Sequence, residues 1–255
     1  MKVSITILLT LACSTYCNAF DSHPMQTNGL DNNISTLLLA DGISIPWAMV
    51  QLPSEEILIS ERKGELRVIK NGRLLSKRIT GLPEIYSNGQ GGLLDLALHP
   101  NFVKSQWLYF TYVSKSDNNS VSNTALMRAK LNISNFSLTD QTLLYKAQTN
   151  SKKGQHYGSR IVFDDKGFIF FSIGDRGQRD TNPQDINKDG GKIYRLHDDG
   201  RIPSDNPFLD QNGAKSAIFS YGHRNPQGLS LDPHTKNIWS HEHGPRGGDE
   251  VNVIK

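Results

Sequence analysis

Four parts of the sequence, the first made of two segments, hold side chains whose types and spacing suit catalysis or ligand binding. Gln155-His156-Tyr157-Gly158-Ser159-Arg160 precedes one apolar run, and Ser172-Ile173-Gly174-Asp175-Arg176-Gly177 closes the next. The outer ends of a hairpin lie side by side, so Asp175 can orient the His156 imidazole and raise its basicity, an arrangement suited to general-base work. The alternative is a turn His and a turn Asp that only cap the hairpin. Tyr221-Gly222-His223-Arg224-Asn225-Pro226-Gln227-Gly228 gathers an Arg, an Asn and a Gln in one loop. The Arg224 guanidinium offers a fork to carboxylate or quinone oxygens, and Asn225 can donate and accept on one planar ligand. A solvated, turn-forming loop is the plain alternative.

The third part, His241-Glu242-His243-Gly244-Pro245-Arg246-Gly247-Gly248-Asp249-Glu250, combines a Gly/Pro-rich loop with hard oxygen donors. Backbone carbonyls of Gly244 and Pro245, with carboxylates just beyond, suit Ca²⁺ better than Zn²⁺. His241 and His243 would share one face of a strand, but without the third ligand that a catalytic zinc needs. A metal-free acidic turn remains open. The fourth part, Asn88-Gly89-Gln90-Gly91-Gly92-Leu93, is a Gly-rich approach to a strand that presents Gln90. It lacks the Lys-Ser/Thr of a phosphate loop, and no helix follows it.

The elements that position these segments read as strands. From Ile34 onward the chain consists of apolar runs of four to seven residues broken by Gly, Pro, Asn and Asp, with little helical periodicity. The runs predict about twelve strands: 47–51, 57–61, 66–70, 93–98, 107–112, 125–130, 159–163, 168–173, 192–196, 217–221, 228–231 and 238–242. A repeat runs through them. Leu96-Ala97-Leu98-His99-Pro100, Ile161-Val162-Phe163-Asp164 and Leu229-Ser230-Leu231-Asp232-Pro233 are each followed by an aromatic strand, and a weaker copy begins at Ile45-Pro46-Trp47. About four copies, spaced by roughly 45 to 70 residues, match the blades of a β-propeller better than a β-sandwich.

Composition sets the outer bounds. The chain has 255 residues, 36% of them hydrophobic and 21% charged, enough for a sizeable core but not for a membrane bundle. With 28 basic and 25 acidic residues the net charge is only +3, and no basic run marks a nucleic-acid footprint. Lys2, the apolar stretch Val3–Ala12 and Cys17-Asn18-Ala19 read as an export signal cleaved after Ala19. The alternatives are a buried N-terminal helix or lipidation at Cys13. Residues 1–19 are thus expected to be a signal peptide, 20–33 a flexible lead-in and 34–255 the propeller. Both cysteines, Cys13 and Cys17, fall in the signal, so the mature chain would hold no disulfide.

Taken together, the motifs resemble those of a known family. Gly89-Gln90-Gly91-Gly92-Leu93-Leu94, the His156 and Asp175 hairpin, Gly190-Gly191-Lys192-Ile193-Tyr194-Arg195-Leu196, Gly222-His223-Arg224-Asn225-Pro226-Gln227-Gly228 and Glu242-His243-Gly244-Pro245 through Glu250 follow one another in the same order as in the soluble PQQ-dependent glucose/sorbosone dehydrogenases. The bacterial soluble aldose sugar dehydrogenases are the most similar of these. The resemblance runs from about Ile45 to the last residue. It implies a six-bladed propeller, of which about four blades are present, carrying pyrroloquinoline quinone (PQQ) and Ca²⁺. It further implies His156 as base toward the anomeric hydroxyl of an aldose, Asp175 as its support, Gln90 on the sugar, and Arg224 and Asn225 on the cofactor. Gly244 and Pro245 would ligate the cofactor's Ca²⁺, and Glu250 a structural Ca²⁺. The expected product is the lactone, and the expected location is the periplasm or outside the cell. The downstream electron acceptor is left open, as is a homodimer. Family members are longer, so the 255-residue chain is expected to be a fragment with little dehydrogenase activity by itself. Two other readings use the same loops: an exported propeller that binds a glycan or protein without redox chemistry, and a Ca²⁺-dependent lactonase in which His156 activates water.

Overall fold

The structure, a computed structural model, describes residues 37–116, 121–148 and 151–255. The expected signal peptide and lead-in lie outside the described residues. From Gly42 to Lys255 the chain forms successive antiparallel sheets, each made from strands consecutive in sequence. The first sheet contains β1 (Pro46–Gln51), β2 (Ile57–Glu61), β3 (Glu65–Lys70) and β4 (Arg73–Leu74). The second contains β5 (Leu93–Leu98), β6 (Trp107–Lys115), β7 (Ser122–Asn132) and β8 (Ser137–Lys146), with a single helical turn, α1 (Phe102–Ser105), between β5 and β6. The third contains β9 (Ile161–Phe163), β10 (Ile169–Ile173), β11 (Lys192–Leu196) and β12 (Ile218–Tyr221), and the last has β13 (Pro226–Leu231), β14 (Ile238–Glu242) and β15 (Glu250–Ile254). These are four blades of a β-propeller.

The apolar runs are nearly continuous because both faces of an inner blade are covered, so successive residues of one strand enter different cores. On β6, Phe110 packs with Leu58, Leu66 and Val68 of the first sheet, while Tyr109 packs with Ile169 and Phe171 of the third. On β10, Phe171 faces the second sheet, and Phe170 joins Leu229, Ile238 and Ile254 of the fourth. Each of these residues is buried.

Neighbouring blades are also latched by a recurring hydroxyl on the second strand. Ser60 Oγ donates to Leu94 O (2.6 Å), Thr111 Oγ1 to Ser159 O (2.8 Å) and Ser172 Oγ to Pro226 O (2.9 Å). All three side chains are fully buried, so each of these bonds pairs a hydroxyl proton away from water. The Asp95 carboxylate reinforces one seam, accepting from Arg160 Nη1 (2.7 Å) and Ile161 N (2.7 Å). Burial pushes Asp95 up to about 6, against the pull of Arg160 and the backbone N–H groups.

The strand expectations hold for 57–61, 93–98, 192–196 and 238–242, and several boundaries move. β6 and β7 run longer than expected, and β9 starts at Ile161 instead of 159 because Gly158 (φ 61°) and Ser159 (φ 97°) turn the chain away from the sheet. β4 and β8 were absent from the reading. β8, Ser-Leu-Thr-Asp-Gln-Thr-Leu-Leu-Tyr-Lys, is an outer strand with mostly exposed or half-buried side chains, so it lacks the apolar run that marks an inner strand.

Candidate active site

In every blade the approach to the first strand and the loop after the second strand lie at the same end. The first and last blades show how the sequence builds that end. Glu61, the last residue of β2, accepts from Ser44 N (2.8 Å), and Arg62 N donates to Ile45 O (3.1 Å). Glu242, the last residue of β14, accepts from Arg224 N (2.6 Å), and His243 N donates to Asn225 O (3.3 Å). A carboxylate at the end of the second strand thus closes the lead-in to the first.

The structure brings His156 and Asp175 together. His156 Nδ1 donates to Asp175 Oδ1 (2.8 Å), which also accepts from Gly177 N (2.6 Å). Asp175 is fully buried, and its Oδ2 has no partner among the described residues. His156 has a left-handed backbone (φ 54°), an uncommon conformation for a residue with a side chain, held by its surroundings. Its N–H donates to Gln90 Oε1 (2.8 Å), and Gln90 N donates to Gly154 O (2.8 Å), so the second blade's lead-in braces the third's.

The same loop is clamped from below by Arg176, whose fully buried side chain donates to the carbonyls of Lys153 (2.7 Å), Gln155 and Ser122 (3.4 Å). Its guanidinium lies 3.4 Å from the centre of the Tyr157 ring. Desolvation lowers the Arg176 pKa below its usual value, and Tyr157 and Asp175 counteract it.

Arg224 and Asn225 join this loop through direct bonds, whereas among the described residues Gly244, Pro245 and the Glu250 side chain bond only within their own loop and strand. Asp175 N donates to Arg224 O (2.7 Å), and Arg224 Nη1 donates to His243 O (2.7 Å), next to Gly244. Asn225 Oδ1 accepts from Gly158 N (3.1 Å). The Arg224 and Asn225 backbone is fixed by Glu242, which takes both their N–H groups on Oε2 (2.6 and 3.2 Å) and His223 Nδ1 on Oε1 (2.9 Å). Burial would raise the Glu242 carboxyl, but His223 and the two backbone donors outweigh it and leave it below the usual value. Sequence reading treated Glu242 only as part of a metal-rich run and missed this anchoring role. Its position two residues after the buried Ser240, at the end of an alternating strand, is the signal that would have marked it as inward-facing.

A cavity of about 270 Å³ opens at the junction of the four blades. Ile45, Trp47 and Arg62 line it from the first, Gln90 and Leu94 from the second, and Tyr157 and Gly158 from the third. Asn225, Gln227 and His243 complete it from the fourth, and among the described residues no Asp or Glu lines it. Aromatic walls, amide hydrogen-bonding groups and a positive charge suit a flat anionic ligand such as PQQ. For a cation, the Gly244 carbonyl accepts no hydrogen bond among the described residues, while Pro245 O accepts from Gly248 N (3.1 Å) and Asp249 Oδ1 from Gly244 N (2.8 Å). Glu250 is exposed at the start of β15, with Oε2 accepting from Asn252 Nδ2 (3.1 Å). Among the described residues, no three His, Cys, Asp or Glu side chains are grouped to hold a metal. A Ca²⁺ here would depend on backbone carbonyls, which fits the hard-oxygen chemistry of Gly244 and Pro245.

Comparison with known proteins shows what the chain as a whole is similar to. The chain is 40% identical over 221 residues to the aldose sugar dehydrogenase YliI of Escherichia coli, a match covering 86% of this chain and 59% of that protein. It superposes on the apo crystal structure of the soluble aldose sugar dehydrogenase from Escherichia coli with a TM-score of 0.82 at 40% identity, covering 86% of this chain and 62% of the other. The PQQ-bound aldose sugar dehydrogenase of Streptomyces coelicolor gives a TM-score of 0.73 at 28% identity, with coverage of 86% and 62%. The chain therefore spans less than two thirds of these relatives. The glucose/sorbosone dehydrogenase family model matches residues 43–255, and the chain belongs to that family.

Proposed function

We propose that this site oxidises aldose sugars at the anomeric carbon to lactones, with PQQ as electron acceptor. The observation that carries the reading is the His156 and Asp175 pair, one backbone bond from Arg224 at the junction of the blades. Because Asp175 is an acceptor when ionised, its bond to Nδ1 leaves the Nε2 lone pair of His156 free. His156 Nε2 takes the proton of the anomeric hydroxyl, and Asp175 stabilises the imidazolium that forms. Gln90, whose Oε1 is engaged by His156 N, keeps its amide N–H groups for a sugar hydroxyl. Bound PQQ supplies a two-electron quinone acceptor for the hydride that leaves C1. Arg224, with Nη1 on His243 O, directs its remaining donors at negative charge that builds during transfer, and Asn225 offers its Nδ2 beside it. The carbonyls of Gly244 and Pro245 would hold a Ca²⁺ at the cofactor, and Glu250 a structural one. An exported, periplasmic protein is the setting that fits the N-terminal signal.

The test is a single turnover at stoichiometric PQQ and Ca²⁺, following sugar-dependent loss of quinone absorbance and formation of lactone. A slow rate that requires Ca²⁺ and disappears in His156→Gln is expected. An unperturbed PQQ spectrum, or hydrolysis of lactone in the absence of quinone, would overturn the proposal.

A further inference from the structure

One side chain of the cavity wall, Arg62, carries no assigned role in this reaction. Arg62 occupies in the first blade the place that His243 holds in the fourth, directly after the second strand, with its N–H on a lead-in carbonyl. Its backbone is fixed from the other side as well. Arg62 O accepts from Leu93 N (3.1 Å), and a β-carbon on Gly92 would collide with that same oxygen. The guanidinium therefore extends from an immobile backbone into the cavity lining.

The other arginines around the junction are engaged: Arg160 by Asp95 (2.7 Å), Arg176 by the Lys153 carbonyl (2.7 Å) and Arg224 by the His243 carbonyl (2.7 Å). Among the described residues, the Arg62 side chain has neither a hydrogen bond nor a carboxylate within ion-pair distance, and its Nε is buried without an acceptor. The carboxylates nearest in sequence are already committed. Glu61 accepts from Ser44 N and Arg67, and Glu65 pairs with Arg67 and Arg78. With no acidic residue in the lining, an uncompensated planar cation faces the cavity across from Gln90, Asn225 and Gln227. A guanidinium in a cavity wall with no hydrogen bond and no counter-ion among the described residues is suited to a carboxylate, which can accept two parallel N–H bonds from its terminal nitrogens.

We propose that Arg62 is a carboxylate-binding residue of this cavity. Two sources carry that group: the carboxylates of the quinone, which rests on the function proposed above, and the acid group of a hexuronate sugar, which does not. The experiment separates them. Fluorescence of the full 255-residue chain, reported by Trp47 in the cavity wall, is titrated with PQQ plus Ca²⁺, with D-glucuronate and with D-glucose, for wild type, Arg62→Gln and Arg62→Lys. Arg62 has no partner to lose, so urea midpoints of the variants are expected to match wild type.

Loss of one charge-assisted fork is expected to weaken a carboxylate ligand by about tenfold to a hundredfold in Arg62→Gln and by less in Arg62→Lys, leaving D-glucose unaffected. Salt should weaken wild-type binding more than that of Arg62→Gln. A fall confined to PQQ identifies the cofactor's carboxylate. A wild-type preference for D-glucuronate over D-glucose that vanishes in Arg62→Gln identifies the sugar acid, and this arm is decisive even if PQQ fails to bind and the quinone reading falls. Equal affinities of wild type and Arg62→Gln for both carboxylates, or binding of neither by wild type, overturns the proposal.

Discussion

Glu242→Gln puts the architecture of the site under the most direct stress. The buried Glu242 carboxylate accepts from Arg224 N (2.6 Å), Asn225 N (3.2 Å), His223 Nδ1 (2.9 Å) and Asn252 Nδ2 (3.3 Å). A glutamine keeps one acceptor oxygen and turns the other position into a donor, so whichever way the amide faces, donors on one side lose their acceptor and meet an NH₂ group. Each buried donor left unpaired costs about 1–3 kcal/mol, and either orientation of the amide strands two of the four donors. A loss of about 2–6 kcal/mol in unfolding free energy is therefore expected at pH 7, read as a fall in urea midpoint at unchanged slope.

The pH dependence gives a second readout. The folded protein holds the Glu242 carboxyl below its ordinary value of 4.5, so the unfolded chain binds more protons as the solution acidifies. The stabilisation is fully present above that value and lost as pH falls through the folded pKa. Glu242→Gln should lack this component. A variant within about 0.5 kcal/mol of wild type, the usual range for surface changes, that also kept the wild-type acid profile would refute the anchoring role.

Asp175→Asn should lower the single-turnover rate of sugar oxidation by about a hundredfold to ten-thousandfold with little effect on sugar affinity, because an amide can no longer fix the Nδ1–H tautomer of His156. Equal loss of affinity would argue instead for a purely structural pair. Asp95 titrates in the opposite sense to Glu242: its folded value is raised to about 6 from 3.8, so its contribution is most favourable below 3.8 and declines as pH rises to 6. The stability of wild type relative to Asp95→Asn should therefore fall across that window by up to about 3 kcal/mol, measured by urea unfolding at each pH. Gly92→Ala should destabilise the seam between the first two blades by more than about 2 kcal/mol, because its methyl group would meet the Arg62 carbonyl; an unchanged thermal midpoint would count against the packing described here.

Much of this site was legible in the sequence wherever local geometry set the outcome. The His156 and Asp175 encounter follows from a hairpin whose strands are marked by Ile161-Val162-Phe163 and Phe168-Ile169-Phe170-Phe171. The inner strands announce themselves because both of their faces are buried, which is why Lys192–Leu196 was read to the residue. β8 did not, because an outer strand with water on one side needs no apolar run. Glu242 and Arg62 escaped notice for a different reason. Each sits in a stretch rich in charge, His241-Glu242-His243 and Glu61-Arg62-Lys63, where residue type alone suggests solvent. What distinguishes them is a partner, or the lack of one, far away in the chain: Glu242 meets Arg224 across 18 positions, whereas Arg62 finds no acid among the described residues. Such relations arise only when separate blades assemble.

The buried hydroxyls of Ser60, Thr111 and Ser172 bear on how the molecule comes apart. They tie the hub at every observed junction, while the periphery, at β4 and β8, hangs on short or wet strands. Warming is thus expected to fray the rim first, with deuterium entering β4 and β8 well before β6 and β10. Chemistry at the axis would outlast the loosening of the edges around it.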